Sequence, residues 1–317
     1  MKEHNTCKLI DCTFRDGGYY NNWSFDKVLV EKTLDVLSRL PIPYVEIGFR
    51  NFDNASKSGP LAYTTDEYIE QLIIPQNINL AVMVMLKDFD HLDKSCFKKL
   101  LPAADKSRIQ LVRVASSAKD IENILYVTEV FKDLGYSVAN NITHISAYSD
   151  HDILVAFQKL KNTKADMVIL ADTFGVLSPY QLRKIFKCLR DNFSKEYGFH
   201  AHDNRGLAAA NVVAAIETGA TYIDATIMGM GRGAGNSKLE SLLLDLLNNK
   251  DEFDLLPLMN LIETHFFNLK KQYGWGYSPL YHYGTNAGVH PMLLQNLLSK
   301  QNINFEEFVK TLKTEEK

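Results

Sequence analysis

Met167-Val-Ile-Leu-Ala171 is apolar at every position. A strand with one wet face would alternate apolar and polar residues. An unbroken apolar run marks a strand covered on both faces, as in a parallel sheet packed beneath helices. Working outward, similar short runs recur: Lys8-Leu-Ile-Asp-Cys-Thr13, Tyr44-Val-Glu-Ile-Gly48, Leu80-Ala-Val-Met-Val-Met85, Ile109-Gln-Leu-Val-Arg-Val-Ala115, Tyr136-Ser-Val-Ala-Asn-Asn-Ile142, Tyr197-Gly-Phe-His-Ala-His202 and Tyr222-Ile-Asp-Ala-Thr-Ile227. The segments between them read as helices, most plainly Lys27 to Leu40, Ala118 to Leu134 and Gly206 to Thr218. Eight strand–helix units in series suit an α/β fold closed as a (β/α)8 TIM barrel better than an open, doubly wound sheet.

The barrel is expected to occupy residues 1–250 as the catalytic domain, ending in a helix from Asn236 to Asn248. Residues 251–317 are expected to form a C-terminal helical extension packed on it. Leu255 to Tyr273 and Pro291 to Lys300 read as helices, and Tyr273 to Gly288 as an aromatic, glycine-rich loop. The charged tail, Lys310 to Lys317, is expected to fray.

Composition is that of a globular protein, with 46% hydrophobic and 23% charged residues. A net charge of −3 gives no field suited to nucleic acid or an anionic membrane. No signal peptide and no apolar stretch of membrane-spanning length is seen, so the expected location is cytoplasmic. The four cysteines, Cys7, Cys12, Cys96 and Cys188, form no C-x-x-C pair and read as reduced thiols.

In a barrel the loops after the strands build the active site. The first strand leads into Arg15-Asp16-Gly-Gly18, a charged pair that reads equally as an ion pair at the rim or as chemistry. The seventh ends in His200-Ala-His202. Residues i and i+2 of a strand point to one side, so both imidazoles can face the mouth and share a metal. Two histidines and a carboxylate leave coordination positions open, as catalytic sites require. Mn²⁺ is favoured among Mn²⁺, Mg²⁺, Co²⁺ and Zn²⁺. The eighth strand runs into Gly229-Met-Gly-Arg-Gly-Ala-Gly-Asn236, either a flexible lid or a loop that brings Asn236 to the metal. Glu46 and Arg113 interrupt apolar strands and invite a salt bridge inside the barrel. Thr173 closes the sixth strand. His144, just past the fifth, reads at least as well as a surface residue. Trp275, Tyr277, Tyr281 and Tyr283 either cover a substrate or pack the tail.

Together these residues resemble the metal-dependent lyases and synthases that include homocitrate synthase, isopropylmalate synthase, hydroxymethylglutaryl-CoA lyase and 4-hydroxy-2-oxovalerate aldolase. The likeness runs from Leu9 to about Glu240. Asp11-x-Thr-x-Arg-Asp-Gly17, Glu46-Ile-Gly48 and His200-x-His202 carry it, and Gly229-Met-Gly-x-Gly-Ala-Gly-Asn236 looks most like the aldolase branch. The resemblance implies that Asp16, His200, His202 and Asn236 hold the metal and that Arg15 stabilises an enolate oxygen. It implies that Thr173 lines the substrate site, where Glu46 and Arg113 are also expected to bind substrate. The lyase branch uses a cysteine in the loop after the eighth strand, and this chain has none there.

In the aldolases a histidine follows the Arg-Asp-Gly signature and a tyrosine follows a late Ala-Gly-Val. Here Tyr19 and His290 stand at those places, as if exchanged. The expectation is that Tyr19 and His290 form the acid–base pair. The implied reaction joins pyruvate enolate to an aldehyde, or separates them, in a 4-hydroxy-2-oxo acid. The alternatives are a Claisen-type synthase acting on an acyl-CoA and a 2-oxo acid, and a non-catalytic metal-stabilised scaffold. A homo-oligomer is expected. The related aldolases pair with a dehydrogenase through their C-terminal segment, and from Leu255 onward this chain departs from that pattern, which speaks against such a partner.

Overall fold

The computed structural model describes residues 7–52, 58–89, 93–246, 253–299 and 304–315. Eight strands appear in chain order: β1 Lys8–Asp11, β2 Tyr44–Phe49, β3 Leu80–Met85, β4 Ile109–Ser117, β5 Ser137–Thr143, β6 Met167–Asp172, β7 Glu196–Ala201 and β8 Tyr222–Ala225. Each pairs in parallel with the next, and β1 also pairs with β8, which closes the barrel. Closure leaves no free sheet edge.

The apolar runs became strands because both faces are covered. One face packs under helices such as Lys27–Leu37, Ile121–Asp133 and Pro179–Asn192 in a continuous core. The other fills the barrel with Ile10, Cys12, Ala81, Leu111, Ala139, Met167, Ile169 and Tyr222. The period of two then decides which residues face inward near the mouth. On β4 it sets Arg113 on the inner face with Leu111, and on β7 and β8 it places His200 opposite Asp224.

Three expectations change. The stretch Tyr273 to Gly288 is not all loop, because Pro279–Asn286 is helical. Ser278 caps that helix and Pro279 opens it, a start signal hidden among aromatics and glycines. The charged tail is helical as far as Glu315, within Phe305–Glu315. Phe308 anchors that helix in an apolar cluster with Tyr281, Leu294, Leu297 and Ala234. Leu255 to Tyr273 is helical throughout, but with a wider π turn at Ile262–Phe266. The helix expected from Asn236 to Asn248 starts at Leu239, and its last residues lie outside the described ones. Among the described residues no helix is long and apolar enough to cross a membrane.

Candidate active site and metal centre

Past Asp11 the chain turns at once into a single helical turn, Thr13–Gly17. The Asp11 carboxylate fixes it by accepting the Thr13 N–H at 3.1 Å and hydroxyl at 2.7 Å. This turn, rather than a strand end, carries Arg15 and Asp16 to the mouth, where they are 5% and 1% exposed. His200 lies on β7 and His202 just beyond it, with ring centroids 4.9 Å apart. The glycine-rich segment folds back along β7: the Asp203 N–H donates to Gly235 O at 2.8 Å and the Ser237 N–H to Ala201 O at 3.1 Å. That return sets Asn236 beside Asp16, with Nδ2 donating to Oδ2 at 2.5 Å. Gly231 is required by close approach, since a Cβ there would fall on the Asn236 amide and 2.5 Å from Asp16 Oδ2.

Asp16, His200 and His202 each present a ligand atom, all within 4.8 Å of one another. The far nitrogens of both rings are engaged: His200 Nδ1 bonds Asp224 Oδ2 at 2.9 Å and His202 Nδ1 bonds Gly235 O at 3.3 Å. Both partners accept, so each Nδ1 carries the ring proton and each Nε2 keeps its lone pair. His200 Nε2 and Asn236 Oδ1 are buried without a hydrogen-bond partner. Unpaired buried acceptors are costly, and a cation among them removes the cost. The residues therefore fit a divalent metal. Cys12, His200 and Asp224 are equally close to one another. Arg113 already donates to Cys12 and Asp224, however, and neither lines the cavity.

Behind the site runs a continuous chain of ion pairs. Arg15 donates to Asp16 at 2.6 Å and to Glu46 at 2.7 Å; Arg113 donates to Glu46 at 3.0 Å and to Asp224 at 2.6 Å. Three carboxylates against two guanidinium groups leave one negative charge, which favours a cation at the rim. Burial, the largest single effect, would raise the Asp16 carboxyl, but Arg15, His202, His200 and Arg232 together outweigh it and hold it well below the usual carboxylate range. Burial is likewise the largest effect at Asp224 and opposes its ionisation, but Arg113 and the His200 hydrogen bond together bring it down to about 2.

A cavity of about 400 Å³ opens above these groups, within the range of small-molecule sites. Arg15, Tyr19, Thr173 and His290 line it, as the sequence suggested. Glu46 and Arg113 do not: both are fully buried, so the salt bridge between them replaces the expected contact with substrate. Arg15 Nη2 has no protein partner among the described residues and remains available to a ligand. Tyr19 packs edge-on against Trp23 and Phe49, and burial raises its pKa, so its hydroxyl is a donor.

His290 caps the helix Pro291–Leu298, its Nδ1 accepting the Met292 N–H at 3.2 Å. Its ring proton therefore sits on Nε2. That corrects the expectation of a base at this position: the free nitrogen of His290 is a donor. The aromatic residues are no lid either. Trp275 is buried with its Nε1 donating to Met228 O at 3.0 Å, and none of the four lines the cavity.

Sequence reasoning missed two residues, Asp224 and Arg232, and left a third, His144, open between the surface and the site. Asp224 carried the signal that singled out Glu46 and Arg113, a charge inside an apolar run. His144 stands just past β5, where the strand-end rule would have found it; the structure places it in the cavity wall, not on the surface. Arg232 was passed over as the variable position of the glycine-rich motif. Its guanidinium lies 5.1 Å over the Tyr19 ring and 3.4 Å from His202 Nε2, with no carboxylate partner among the described residues.

With this geometry, the comparisons with known proteins fall into place. The model of the HMGL-like family matches residues 6–265. The chain belongs to the HMGL-like family. An oxaloacetate decarboxylase of Mycobacterium tuberculosis is 28% identical over 247 residues, covering 77% of this chain and 70% of the relative. A 4-hydroxy-2-oxovalerate aldolase of Geobacillus thermodenitrificans is 27% identical over 271 residues, covering 83% and 76%. The crystal structure of the N-terminal domain of a candidate aldolase from Bacteroides vulgatus superposes with a TM-score of 0.78 at 29% identity, covering 96% of this chain and 99% of that one. In this HMGL-like chain the matched region ends within the helical run after the barrel. His290 and the last three helices lie beyond it.

Proposed function

We propose that the protein is a divalent-metal-dependent lyase of the aldolase type. It cleaves or forms the C3–C4 bond of a 4-hydroxy-2-oxo acid, between pyruvate enolate and an aldehyde. The convergence of Asp16, His200 and His202 beside the free Nη2 of Arg15 carries this reading. Asp16, His200 and His202, with Asn236 beside them, would hold a metal that would supply Lewis acidity toward the 2-oxo group and orient the acid. Mn²⁺ suits the mixed nitrogen and oxygen donors.

Arg15 offers a fixed positive charge where the enolate oxygen develops, and its two carboxylate partners keep it from reorienting. Arg232, without an acidic partner, offers a second contact to an anion. Tyr19 and His290 act as hydrogen-bond donors. Of the described residues from 253 onward, His290 lines the cavity and would serve this same site. The names of the two relatives point the same way: cleavage of a 4-hydroxy-2-oxo acid and decarboxylation of oxaloacetate both leave pyruvate enolate. Decarboxylation is thus a second reading, favoured by the M. tuberculosis relative.

The test is exchange of the pyruvate methyl protons in D₂O, which requires no knowledge of the aldehyde. Exchange should appear with Mn²⁺ and stop with EDTA. Exchange that survives thorough chelation would remove the metal from the mechanism, and its absence under all conditions would remove the enolate. Release of CO₂ from oxaloacetate without cleavage of any 4-hydroxy-2-oxo acid would favour the second reading.

A further inference from the structure

His144 and His290 sit side by side in the cavity wall, with ring centroids 5.9 Å apart and Phe174 at 5.8 Å from each. Opposite tautomers satisfy their hydrogen bonds. The Thr143 hydroxyl donates its one proton to Ser116 O at 3.1 Å. With that proton on Ser116 O, the Thr143 oxygen accepts at 2.8 Å from His144 Nδ1, and the ring proton is assigned there. His144 Nε2 is left with a lone pair and no protein partner among the described residues. In His290 the order is reversed: Nδ1 accepts from Met292 and Nε2 bears the proton.

The backbone holds His144 in place at some cost. Its φ is +61°, in the left-handed region that histidine visits only occasionally. Thr173 secures it by accepting the His144 N–H at 2.9 Å. Backbone strain of this kind gathers at functional sites. A donor and an acceptor nitrogen thus lie together on one cavity wall, and the metal-binding residues line the same cavity.

We propose that His144 and His290 form the proton-transfer dyad of the reaction, His144 Nε2 accepting the proton of the 4-hydroxyl and His290 Nε2–H holding the oxygen it leaves. This rests on the lyase reading above. In cleavage the hydroxyl proton passes to His144 Nε2 as the C4–O bond becomes a carbonyl. The C3–C4 electron pair becomes the C2–C3 double bond, and the 2-oxo oxygen takes the negative charge. Once the aldehyde has left, His144 returns the proton to C3, which gives pyruvate and restores the neutral ring. Synthesis runs the same steps backwards. Tyr19 then has no part in accepting protons.

Two measurements test the dyad. On metal-free protein, ring nitrogen NMR should show His144 protonated on Nδ1 and His290 on Nε2; the reverse pattern would overturn the assignment. Kinetics then use His144→Gly, which suits the left-handed backbone and leaves room for imidazole, and His290→Ser, which keeps a helix cap. With 4-hydroxy-2-oxopentanoate as probe, His144→Gly should lose about 10²–10⁴-fold in cleavage and in pyruvate methyl exchange, the usual worth of a general base. Added imidazole should restore part of both, with Mn²⁺ affinity within a few-fold of wild type. His290→Ser should lose about tenfold in cleavage yet keep exchange, because exchange needs no aldehyde oxygen. Cleavage within three-fold of wild type in His144→Gly, while wild type exchanges normally, sinks the dyad alone. Wild type without metal-dependent exchange sinks the lyase reading, and the dyad's chemistry with it.

Discussion

Four imidazoles share one cavity, and what each can do is set by its second nitrogen. In His200 and His202 that nitrogen is Nδ1, bonded to Asp224 and to Gly235 O, which frees Nε2 for a cation. In His144 and His290 the same bookkeeping yields one acceptor and one donor. Burial pushes both of these last rings down to about 4, with Arg232 adding to the effect. The sign follows directly. A ring whose folded value lies below the ordinary value near 6.5 stays neutral as pH falls through that value. The stability that these neutral rings lend is full above about 6.5 and is lost as pH drops toward 4. An NMR titration should show both rings still neutral at pH 5, whereas a solvent-exposed histidine is half charged near 6.5. Midpoints near 6.5 for His144 and His290 would contradict their burial against Phe174 and beside Arg232. This level was the least legible in the sequence. A tautomer depends on neighbours such as Thr143, Ser116 and Met292, which no spacing rule singles out.

Strands β2, β4 and β8 each carry one charge inside an apolar run, and the barrel stacks these charges into a single layer beneath Asp16, His200 and His202. The sequence announced Glu46 and Arg113 as costly to bury alone, and they pair at 3.0 Å. Asp224 carried the same mark, but that it completes the set was not readable, because pairing across a barrel depends on closure. The runs themselves were readable because coverage on both faces leaves no polar alternation, and every expected strand is present within about two residues. The helix Pro279–Asn286 was not readable, since Tyr281, Tyr283 and Gly284 blurred its period. The layer predicts its own sensitivity. Arg113→Met should leave Glu46 with Arg15 alone and Asp224 with only the His200 ring, and cost about 3–5 kcal/mol. Thermal denaturation should then show a midpoint lower by roughly 5 °C or more. A loss below about 1 kcal/mol would mean that water or a protonated carboxyl replaces the arginine.

The whole molecule joins its two ends at the site. Gln295, on the helix Pro291–Leu298, donates through Nε2 to Tyr19 O at 3.0 Å and accepts the Gly233 N–H through Oε1 at 3.0 Å. One side chain near the C-terminus therefore ties down the loop after β1 and the glycine-rich loop after β8. Tyr20 adds a hydrogen bond to Gly233 O at 2.6 Å, and Ala234 packs into the C-terminal apolar cluster. The same helix begins at His290, so one element both restrains the loops and delivers a donor to the cavity. Gln295 is 7% exposed, so Gln295→Leu keeps the packing but leaves the Gly233 N–H without its partner. Such a loss costs about 1–3 kcal/mol, taken locally because the barrel strands are hydrogen-bonded independently. Hydrogen–deuterium exchange should quicken from Gly229 to Asn236 while β4 to β6 stay protected. Turnover should fall by about tenfold or more, since Arg232 and Asn236 ride on that loop. If exchange in the loop is unchanged in Gln295→Leu, the restraint lies elsewhere, with Tyr20 and the Ala234 cluster as the contacts that remain.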